Sequence, residues 1–500
     1  MALLIPWEIT MIRTPQLLPL AIAAALAGIA LPASAQQASA SELEQLIRAQ
    51  AAQIQALEAR LATLEAQSPP RASQAPSIAA QAAAPAAAPA PTVDTATQTS
   101  APSAPVARRS NDDGLSPVLA DFHSGAPIFT SDDGEFTFKP RGRFLLDATS
   151  TSGSRFGQRN LSATGIRRLR LGAEGTYGRF GYQLEADFAS NIMEVKSAFA
   201  TVAHHVGGLE AELTVGQRLS DRGMDGATGS PVVHFMERNA VAGLIQPVRG
   251  YFGVGVTERI TGSDWHVTGS VTGDLINDTR GQDNDSLTWA TRAHWTPYNT
   301  ATTKWHLGGW IFYEDLAGDA SPLIRSYAAA GDINEYARVR PGALPGAESS
   351  LGYGAELGVV QGRGWTFAEW GQREIRGHDA GTRYDLSHDA YAVSAGWFLA
   401  GGMPVYNARR GTWNKPSIEQ DVTAGGIGAW EIKARYERAD FSRLPTGGEG
   451  ETTTVGVNWY LNALARIMLE VSHWESTNRS GDFLGPDNGN TFNTRLEFIF

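Results

Sequence analysis

Apolar and polar positions alternate along stretches of about ten residues in the last three-quarters of the chain, between clusters of Gly, Asp and Asn. Successive side chains of a β-strand point to opposite faces, so each stretch predicts a strand with one apolar face. Sixteen such strands are predicted, at about 24 residues per strand and connection. They are 136–150, 168–177, 182–188, 193–206, 209–217, 251–260, 265–275, 287–295, 303–313, 350–360, 364–375, 391–399, 430–436, 455–461, 465–471 and 491–500.

The last strand decides between two folds with the same alternation. A soluble sandwich would turn its apolar faces inward, whereas a membrane barrel turns them towards lipid. The chain ends on Phe500, and Phe492, Leu496 and Phe498 share its face, which is typical of a strand that closes an outer-membrane barrel. Charged residues are dense on the polar faces, as the wall of a water-filled lumen requires. The predicted fold is all-β, a transmembrane antiparallel β-barrel of about 16 strands over residues 121–500.

The start of the chain predicts export. Pro19 to Pro32 is rich in Ala and Leu and is followed by Ala33-Ser34-Ala35, a pattern of small residues typical of a signal-peptide cleavage site. Residues 1–35 are therefore predicted to be a signal peptide. The alternative is a membrane anchor, but about 14 apolar residues fall short of the roughly 20 that span a bilayer. The predicted location is the outer membrane of a Gram-negative bacterium.

Two further segments precede the barrel. Residues 41–67 repeat Leu and Ile at spacings of three and four, and Ser41 with Glu44 forms a capping box, which predicts a coiled coil. An amphipathic helix docked on the barrel rim is the alternative. Residues 68–120 are mostly Ala, Pro, Gln, Ser and Thr and are predicted to be an extended linker. With a periplasmic N-terminal segment, the coiled coil could bind peptidoglycan and tether the envelope.

Composition excludes several classes of protein. The chain has no cysteine, which excludes disulfides and thiolate metal sites, and its mean hydropathy of -0.22 with no second long apolar run excludes a helical membrane protein. No Gly-x-Ser-x-Gly or His-Glu-x-x-His motif supports the alternative of an outer-membrane enzyme. The pairs His204-His205, Asp112-Asp113 and Asp132-Asp133 lack further ligands at defined spacing. No catalytic site, cofactor, metal or nucleic-acid partner is expected.

Several motifs together resemble the phosphate-selective porins O and P, over residues 136–500. They are Gly216-Gln217, Phe235-Met236-Glu237-Arg238-Asn239, Arg167-Arg168-Leu169-Arg170-Leu171-Gly172, and the stretches 428–436 and 454–462. The resemblance implies a trimeric outer-membrane channel of sixteen strands with periplasmic termini. It further implies that the third loop folds inward as a constriction and that a ladder of arginines guides anions.

On this chain, the resemblance places the constriction loop at about Arg218 to Gln246. It contains Arg218, Arg222 and Arg238 against Asp221, Asp225 and Glu237, so its formal charge is zero. The predicted arginine track is Arg141, Arg143, Arg168, Arg170 and Arg495, on strands that become neighbours when the barrel closes. Arginine stays protonated and offers a planar fork of donors to phosphate or carboxylate. The alternative is that Arg168 and Arg170 pair with Glu174, Glu185 or Asp187 and only buttress the wall.

The sequence departs from the family in its lysines. The family's phosphate site relies on clustered lysines, whereas this chain has five, Lys139, Lys196, Lys304, Lys415 and Lys433, and none lies in the predicted loop. The net charge of -11 belongs to the barrel region, where 35 basic and 46 acidic residues follow position 110. The predicted function is a porin for passive diffusion of small anionic or polar solutes, phosphate or polyphosphate among them. The alternatives are a general or sugar and dicarboxylate porin, or an envelope tether.

Overall fold

The structure is a computed structural model that describes residues 118–121, 126–189, 192–277, 285–318 and 323–500. The predicted signal peptide, coiled coil and nearly all of the linker lie outside the described residues. A hairpin of Val118–Asp121 and Ile128–Ser131 precedes the barrel and pairs with the start of its first strand.

Sixteen antiparallel strands form one sheet that closes on itself, as the alternation predicts. They are β1 Phe136–Ser152, β2 Ser162–Tyr177, β3 Phe180–Asp187, β4 Glu194–Val206, β5 Leu209–Leu219, β6 Phe252–Thr261, β7 Trp265–Thr272, β8 Leu287–Trp295, β9 Thr303–Asp315, β10 Ala347–Gln361, β11 Gly364–Asp379, β12 Thr382–Ala400, β13 Ala429–Asp440, β14 Glu449–Tyr460, β15 Ala465–Asn478 and β16 Gly485–Ile499. Each strand pairs with the next along the chain, and β16 pairs with β1. We call the end where β1 begins and β16 finishes the turn end, and the opposite end the loop end.

The barrel is apolar outside and polar inside. In β15, Leu469 and Val471 are 40% and 48% exposed on the outer face, whereas the alternating Glu470 and Ser472 are each only 5% exposed. Other outward side chains follow the same rule, including Leu171, Val215, Val393 and Phe492. Because hydrocarbon offers no hydrogen-bond partners, a closed sheet with this polarity suits a bilayer.

Several strands reach further towards the loop end than their alternation predicts. β12 begins at Thr382 rather than 391, and β14 begins at Glu449 rather than 455. The added segments, such as residues 382–389, carry polar side chains on both faces. The apolar alternation therefore stops where an outer face no longer meets hydrocarbon, although the backbone hydrogen bonds continue.

The last residue completes the seam of the barrel. The amide of Phe500 donates to the carbonyl of Gly142, and the amide of Gly142 donates to the carbonyl of Phe500, both at 3.0 Å. The Phe500 ring lies over Gly142, where a side chain would overlap it. On the same outer face, Phe492 and Phe498 are 47% and 42% exposed. The terminal aromatic strand thus joins β1 and presents its apolar side outward.

Three segments enter the lumen. The constriction loop, residues 220–251, and the fifth loop, described at residues 316–318 and 323–346, enter from the loop end. The inner hairpin, residues 402–418, enters from the turn end. Their elements are α1 Met224–Ala227 and α2 Ala240–Leu244 and three two-residue strand pairs, Tyr327–Ala328 with Arg338–Val339, Gly402–Met403 with Ser417–Ile418, and Tyr406–Asn407 with Thr412–Trp413. The 3₁₀ turns Gly157–Arg159 and Val422–Ala424 complete the described structure.

These segments fill part of the lumen with two buried apolar clusters, beside the open part of the channel. Near the loop end, Leu244 and Ile245 pack with Tyr327 and with wall residues such as Trp310 and Ile375. A second cluster near the turn end joins Met224, Phe235, Trp365, Phe367, Tyr406 and Trp413. The sequence pattern of the wall could not predict these clusters, because most of their apolar residues lie in connections.

Gly172 of β2 generates a stability prediction. A Cβ at this position would overlap the carbonyl oxygen of Leu184 and lie 2.9 Å from the Cα of Glu185 on β3. Gly172→Ala should therefore lower the free energy of unfolding in detergent by about 1–3 kcal/mol, because the backbones of β2 and β3 must separate. Urea unfolding followed by tryptophan fluorescence measures this change. Gly269→Ala in β7 is the control, since nothing lies within 4 Å of its Cβ; equal stability of the two variants would contradict the prediction.

Candidate functional site

A cavity of about 980 Å³ lies between the constriction loop and one side of the barrel wall. Its wall residues come from β13–β16 and β1–β6, which are consecutive around the closed sheet. The side formed by β7–β12 is covered by the loops, the inner hairpin and their apolar clusters. The open space therefore lies off the barrel axis, against the wall on which the arginine track was predicted.

The lining of the cavity is positively charged. Fourteen arginines and one lysine line it, against nine aspartates and glutamates, an excess of six positive charges among the described residues. The arginines are Arg141, Arg143, Arg167, Arg168, Arg170, Arg218, Arg238, Arg249, Arg259, Arg325, Arg338, Arg410, Arg435 and Arg495. The lining thus has the opposite sign to the chain, whose formal charge is -11.

All five residues of the predicted arginine track line this cavity, on the adjacent strands β16, β1 and β2. Four of them contact carboxylates. Arg141 pairs with Glu174, Arg143 with Glu185 at 2.9 Å, Arg170 with Asp187 at 2.7 Å and Glu185 at 3.0 Å, and Arg495 with Asp147 at 2.7 Å. The buttressing alternative therefore describes the contacts of Arg170.

Arg168 differs from the other four. Its Nη1 donates to the hydroxyl oxygen of Ser230 at 3.0 Å, and Arg143 Nη1 donates to the same oxygen at 2.9 Å. Among the described residues no carboxylate lies within ion-pair distance of Arg168, and its buried Nε has no hydrogen-bond partner there. Two guanidinium groups thus converge on one loop hydroxyl, with one carboxylate, Glu185, bound to the pair.

Arg167 is a lumen residue that the alternation did not identify. A β-bulge shifts the pairing of β1 and β2 so that Leu145 lies opposite Arg168 while Leu146 lies opposite Ile166. Arg167 then also reaches the lumen, where it donates two hydrogen bonds of 2.8 Å to Glu237 and contacts Asp332 of the fifth loop. The adjacent pair Arg167-Arg168 is the only sequence signal, because two charged neighbours cannot both face a lumen on a regular strand.

The constriction loop differs from its predicted bounds. Arg218 and Leu219 still pair with β6, so the loop is 220–251 rather than 218–246. Arg222 lies in the loop, as predicted, but outside the cavity lining: it is 3% exposed and donates to the carbonyls of Ala242 and Ile245 within the loop. The Arg222 guanidinium donates hydrogen bonds to carbonyls at the end of α2, so this side chain is directed into the loop itself.

Arg218 and Arg238 both line the cavity. Arg218 donates to the hydroxyl of Thr214 at 2.7 Å. Arg238 donates to the carbonyls of Asp225 and Thr228, at 3.0 and 2.6 Å, and stacks on the ring of Tyr251 at 4.8 Å. Because both of these oxygens are neutral carbonyls, the contacts leave the charge of Arg238 uncompensated.

Side chains of the barrel wall bind the backbone of the constriction-loop tip, residues 233–237. Arg466 donates to the carbonyl of Val233 at 2.9 Å, and Lys433 to that of His234 at 2.6 Å. Arg435 donates to the carbonyl of Glu237 at 2.9 Å, and Glu470 accepts from the amide of Met236 at 2.9 Å. These wall residues were not predicted as site residues. For Lys433 and Arg435 the sequence signal is a row of charges at every second position of β13, Glu431, Lys433, Arg435 and Glu437.

Electrostatics reinforce this attachment at Glu237. Burial would raise the pKa of Glu237, but Arg167 and Arg495 outweigh burial and hold the pKa well below its usual range. Arg495 Nη2 lies 2.7 Å from the carboxylate. Burial and the neighbouring Glu237 instead raise the pKa of Asp332. Glu237 therefore remains ionised, and it neutralises two arginines at the tip of the loop.

Within the described residues, no three His, Asp or Glu side chains are arranged to hold a metal ion, and His204 instead contacts Glu258 at 3.0 Å. No helix in the described part of the chain is long and apolar enough to cross a membrane.

Comparison with known proteins gives the family. Residues 138–500 match the family described as phosphate-selective porin O and P. An uncharacterized protein of Caulobacter vibrioides is 28% identical over 389 residues, covering 74% of this chain and 75% of that protein. Two solved structures of outer-membrane proteins match at low identity. OmpT of Vibrio cholerae has a TM-score of 0.47 at 12% identity, and the match covers 75% of this chain and 100% of the OmpT chain. The anion-selective porin of Comamonas acidovorans has a TM-score of 0.45 at 13% identity, covering 73% and 100%. The chain belongs to the phosphate-selective porin O and P family and is an outer-membrane porin.

Proposed function

We propose that this porin passes small anions preferentially, by passive diffusion along the arginine-lined cavity. The observation on which the proposal rests is the excess of six positive charges in the cavity lining. Selectivity follows the field at the narrow part of a pore, and low-dielectric walls concentrate that field. The acidic residues behind the net charge of -11 lie largely outside this lining, so they do not oppose the attraction.

The arginines on Ser230 form the proposed anion-binding position. Arg143 and Arg168 both direct guanidinium donors at the Ser230 hydroxyl oxygen. Arg238, in the same cavity, has only neutral carbonyls as hydrogen-bond acceptors among the residues that the structure describes. Carboxylate and phosphate oxygens accept bonds from such forks equally well. The proposed solutes are therefore small oxyanions and carboxylates as a class; phosphate and polyphosphate are members of it.

Removing the positive charge of Arg168 should lower anion preference. For Arg168→Gln we expect the anion-to-cation permeability ratio to fall about fourfold, since a unit charge about 10 Å away in water stabilises an anion and destabilises a cation by about 0.4 kcal/mol each. Reversal potentials of planar bilayers in a salt gradient measure the ratio. Arg376→Gln is the control, because Arg376 lies on the exposed outer face and pairs with Asp385 at 3.0 Å. A cation-selective parent channel, or an unchanged ratio in Arg168→Gln, would contradict the proposal.

The solute class generates a second prediction. Inorganic phosphate and a dicarboxylate such as succinate should each reduce chloride current, and by similar amounts, because both present paired oxygens to the same guanidinium groups. Inhibition of single-channel current over a concentration series measures this. Inhibition by phosphate alone would instead indicate a phosphate-specific site, and inhibition by neither would favour a general or sugar porin.

We further propose a homotrimer in outer-membrane lipid, as the family resemblance implies, with the N-terminal segment in the periplasm. The heptads of residues 41–67 suit helix association, and they support a role in envelope attachment through peptidoglycan. Deleting residues 36–110 should leave the single-channel conductance unchanged and reduce the fraction of porin that sediments with peptidoglycan. Loss of conductance in correctly folded deleted protein would contradict the separation of the two roles.

A further inference from the structure

The tip of the inner hairpin presents an arginine whose charge is not paired. Arg410 is exposed and lines the cavity. Among the residues that the structure describes, its guanidinium has no hydrogen-bond acceptor and no carboxylate within ion-pair distance. The adjacent Arg409 differs, because it forms an ion pair with Glu210 and does not line the cavity. Arg410 was not predicted as a site residue.

The backbone of the hairpin tip is held in place by hydrogen bonds. The Asn407 side-chain oxygen accepts from the amides of Arg409 and Arg410, at 3.1 and 3.2 Å. From the wall, Arg292 of β8 donates to the carbonyls of Arg410 and Gly411, at 3.2 and 2.7 Å. The guanidinium of Arg410 takes part in none of these bonds. The tip therefore fixes the position of this side chain in the cavity without neutralising its charge.

Two arginines of the wall line the same cavity on neighbouring strands. Arg218 of β5 lies over the Phe199 ring at 5.6 Å, and Arg259 of β6 donates to Asp221 at 3.1 Å. Both arginines share one further carboxylate, that of Glu212, at 3.4 and 3.5 Å. Arg259 is 6% exposed, and its buried Nε has no hydrogen-bond partner among the described residues. The two guanidinium groups are therefore only partly neutralised.

The hairpin arginine and the two wall arginines interact electrostatically. Of the charged groups around Arg410, Arg259 acts on it most strongly, followed by Glu212. Arg410 in turn acts on Arg218. The charged groups of this region leave an excess of one positive charge. They are Arg218, Arg259, Arg292, Arg409 and Arg410 against Glu210, Glu212, Asp221 and Glu356.

This group of three arginines lies apart from the arginines on Ser230. Arg143 and Arg168 belong to β1 and β2, whereas the wall members of the group belong to β5 and β6. The strongest charged neighbours of Arg143 include no member of the group. Arg259 lies two residues from the turn end of β6, and the hairpin also enters from the turn end. An anion that moves from Ser230 towards the turn end therefore passes this group.

We propose that Arg410, with Arg218 and Arg259 beside it, forms a second anion-binding position, the hairpin site. Its ligand is a carboxylate or a phosphate-type oxyanion, whose oxygens accept hydrogen bonds from the free Arg410 guanidinium while the wall arginines add positive field. The channel then holds two anions at once. Their mutual repulsion offsets the attraction of each position, so bound anions can leave, as conduction through several sites requires. The hairpin site presupposes the proposed anion preference and adds a second position to it.

Inhibition of chloride current by inorganic phosphate, measured on single channels of the full chain, tests the hairpin site. Arg410→Gln should raise the half-inhibitory phosphate concentration about twofold. The rise is modest because one solvent-exposed ion pair is lost and the arginines on Ser230 still bind phosphate. Arg409→Gln is the matched control, since Arg409 is the adjacent residue and lies outside the cavity lining; this variant should be inhibited like the parent.

A double variant tests whether the two positions are separate. Arg168→Gln combined with Arg410→Gln should raise the half-inhibitory concentration further than either change alone. A double variant inhibited like either single variant would mean that both arginines serve one position, and would overturn the hairpin site. A cation-selective parent channel would contradict the proposed function itself. An anion-selective parent with unchanged phosphate inhibition in Arg410→Gln would overturn the hairpin site alone.

A thiol at the same position tests the role of the charge. The chain has no cysteine, so Arg410→Cys provides a single thiol. Attachment of an aminoethyl group through a thiosulfonate reagent returns a positive charge and should restore the phosphate inhibition of the parent. A sulfonatoethyl group, of similar size but negative charge, should not restore it. An attached aminoethyl group that leaves inhibition as weak as in Arg410→Gln would also overturn the hairpin site.

Discussion

Closure of the sheet between β16 and β1 is the constraint on which the rest of the structure depends. Hydrocarbon cannot satisfy backbone amides and carbonyls, so a chain that crosses the bilayer as strands must leave no open edge. Here the seam runs from the pair Asn490 and Ser152 to the pair Ile499 and Arg143, and Phe500 extends it to Gly142. Once the sheet is closed, its outer face must be apolar and its polar side chains must share a lumen.

That lumen is too wide to be filled by wall side chains alone. The constriction loop, the fifth loop and the inner hairpin occupy the side formed by β7–β12, where they bury apolar residues against the wall. Loop backbone placed inside a barrel carries polar groups that need partners. Lys433, Arg435 and Arg466 supply donors to the carbonyls of residues 233–237. Much of the lumen charge therefore binds loop backbone. These contacts fix the position of the constriction loop, which borders the cavity.

A count of charged residues does not predict the charge that a solute meets, because some arginines bind loop carbonyls or carboxylates and others do not. Arg222 lies in the constriction loop yet serves carbonyls of the loop, whereas Arg168 lies on the wall and contacts no carboxylate among the described residues. The lining is positive although the chain is acidic. Position within the closed barrel, and the identity of the nearest acceptor, decide which arginines are available to a solute.

The sequence by itself determined the sixteen strands, the face of each regular strand and the terminal aromatic strand, because a period of two residues is a local property. It also placed Arg141, Arg168 and Arg495 on one wall, since chain order and closure make their strands neighbours. Only the tertiary structure decided the bulge that turns Arg167 inward, the orientation of Arg222, the entry of the inner hairpin and the position of Arg410 beside Arg259. These features arise from contacts between residues far apart in the chain, which leave no periodic signal.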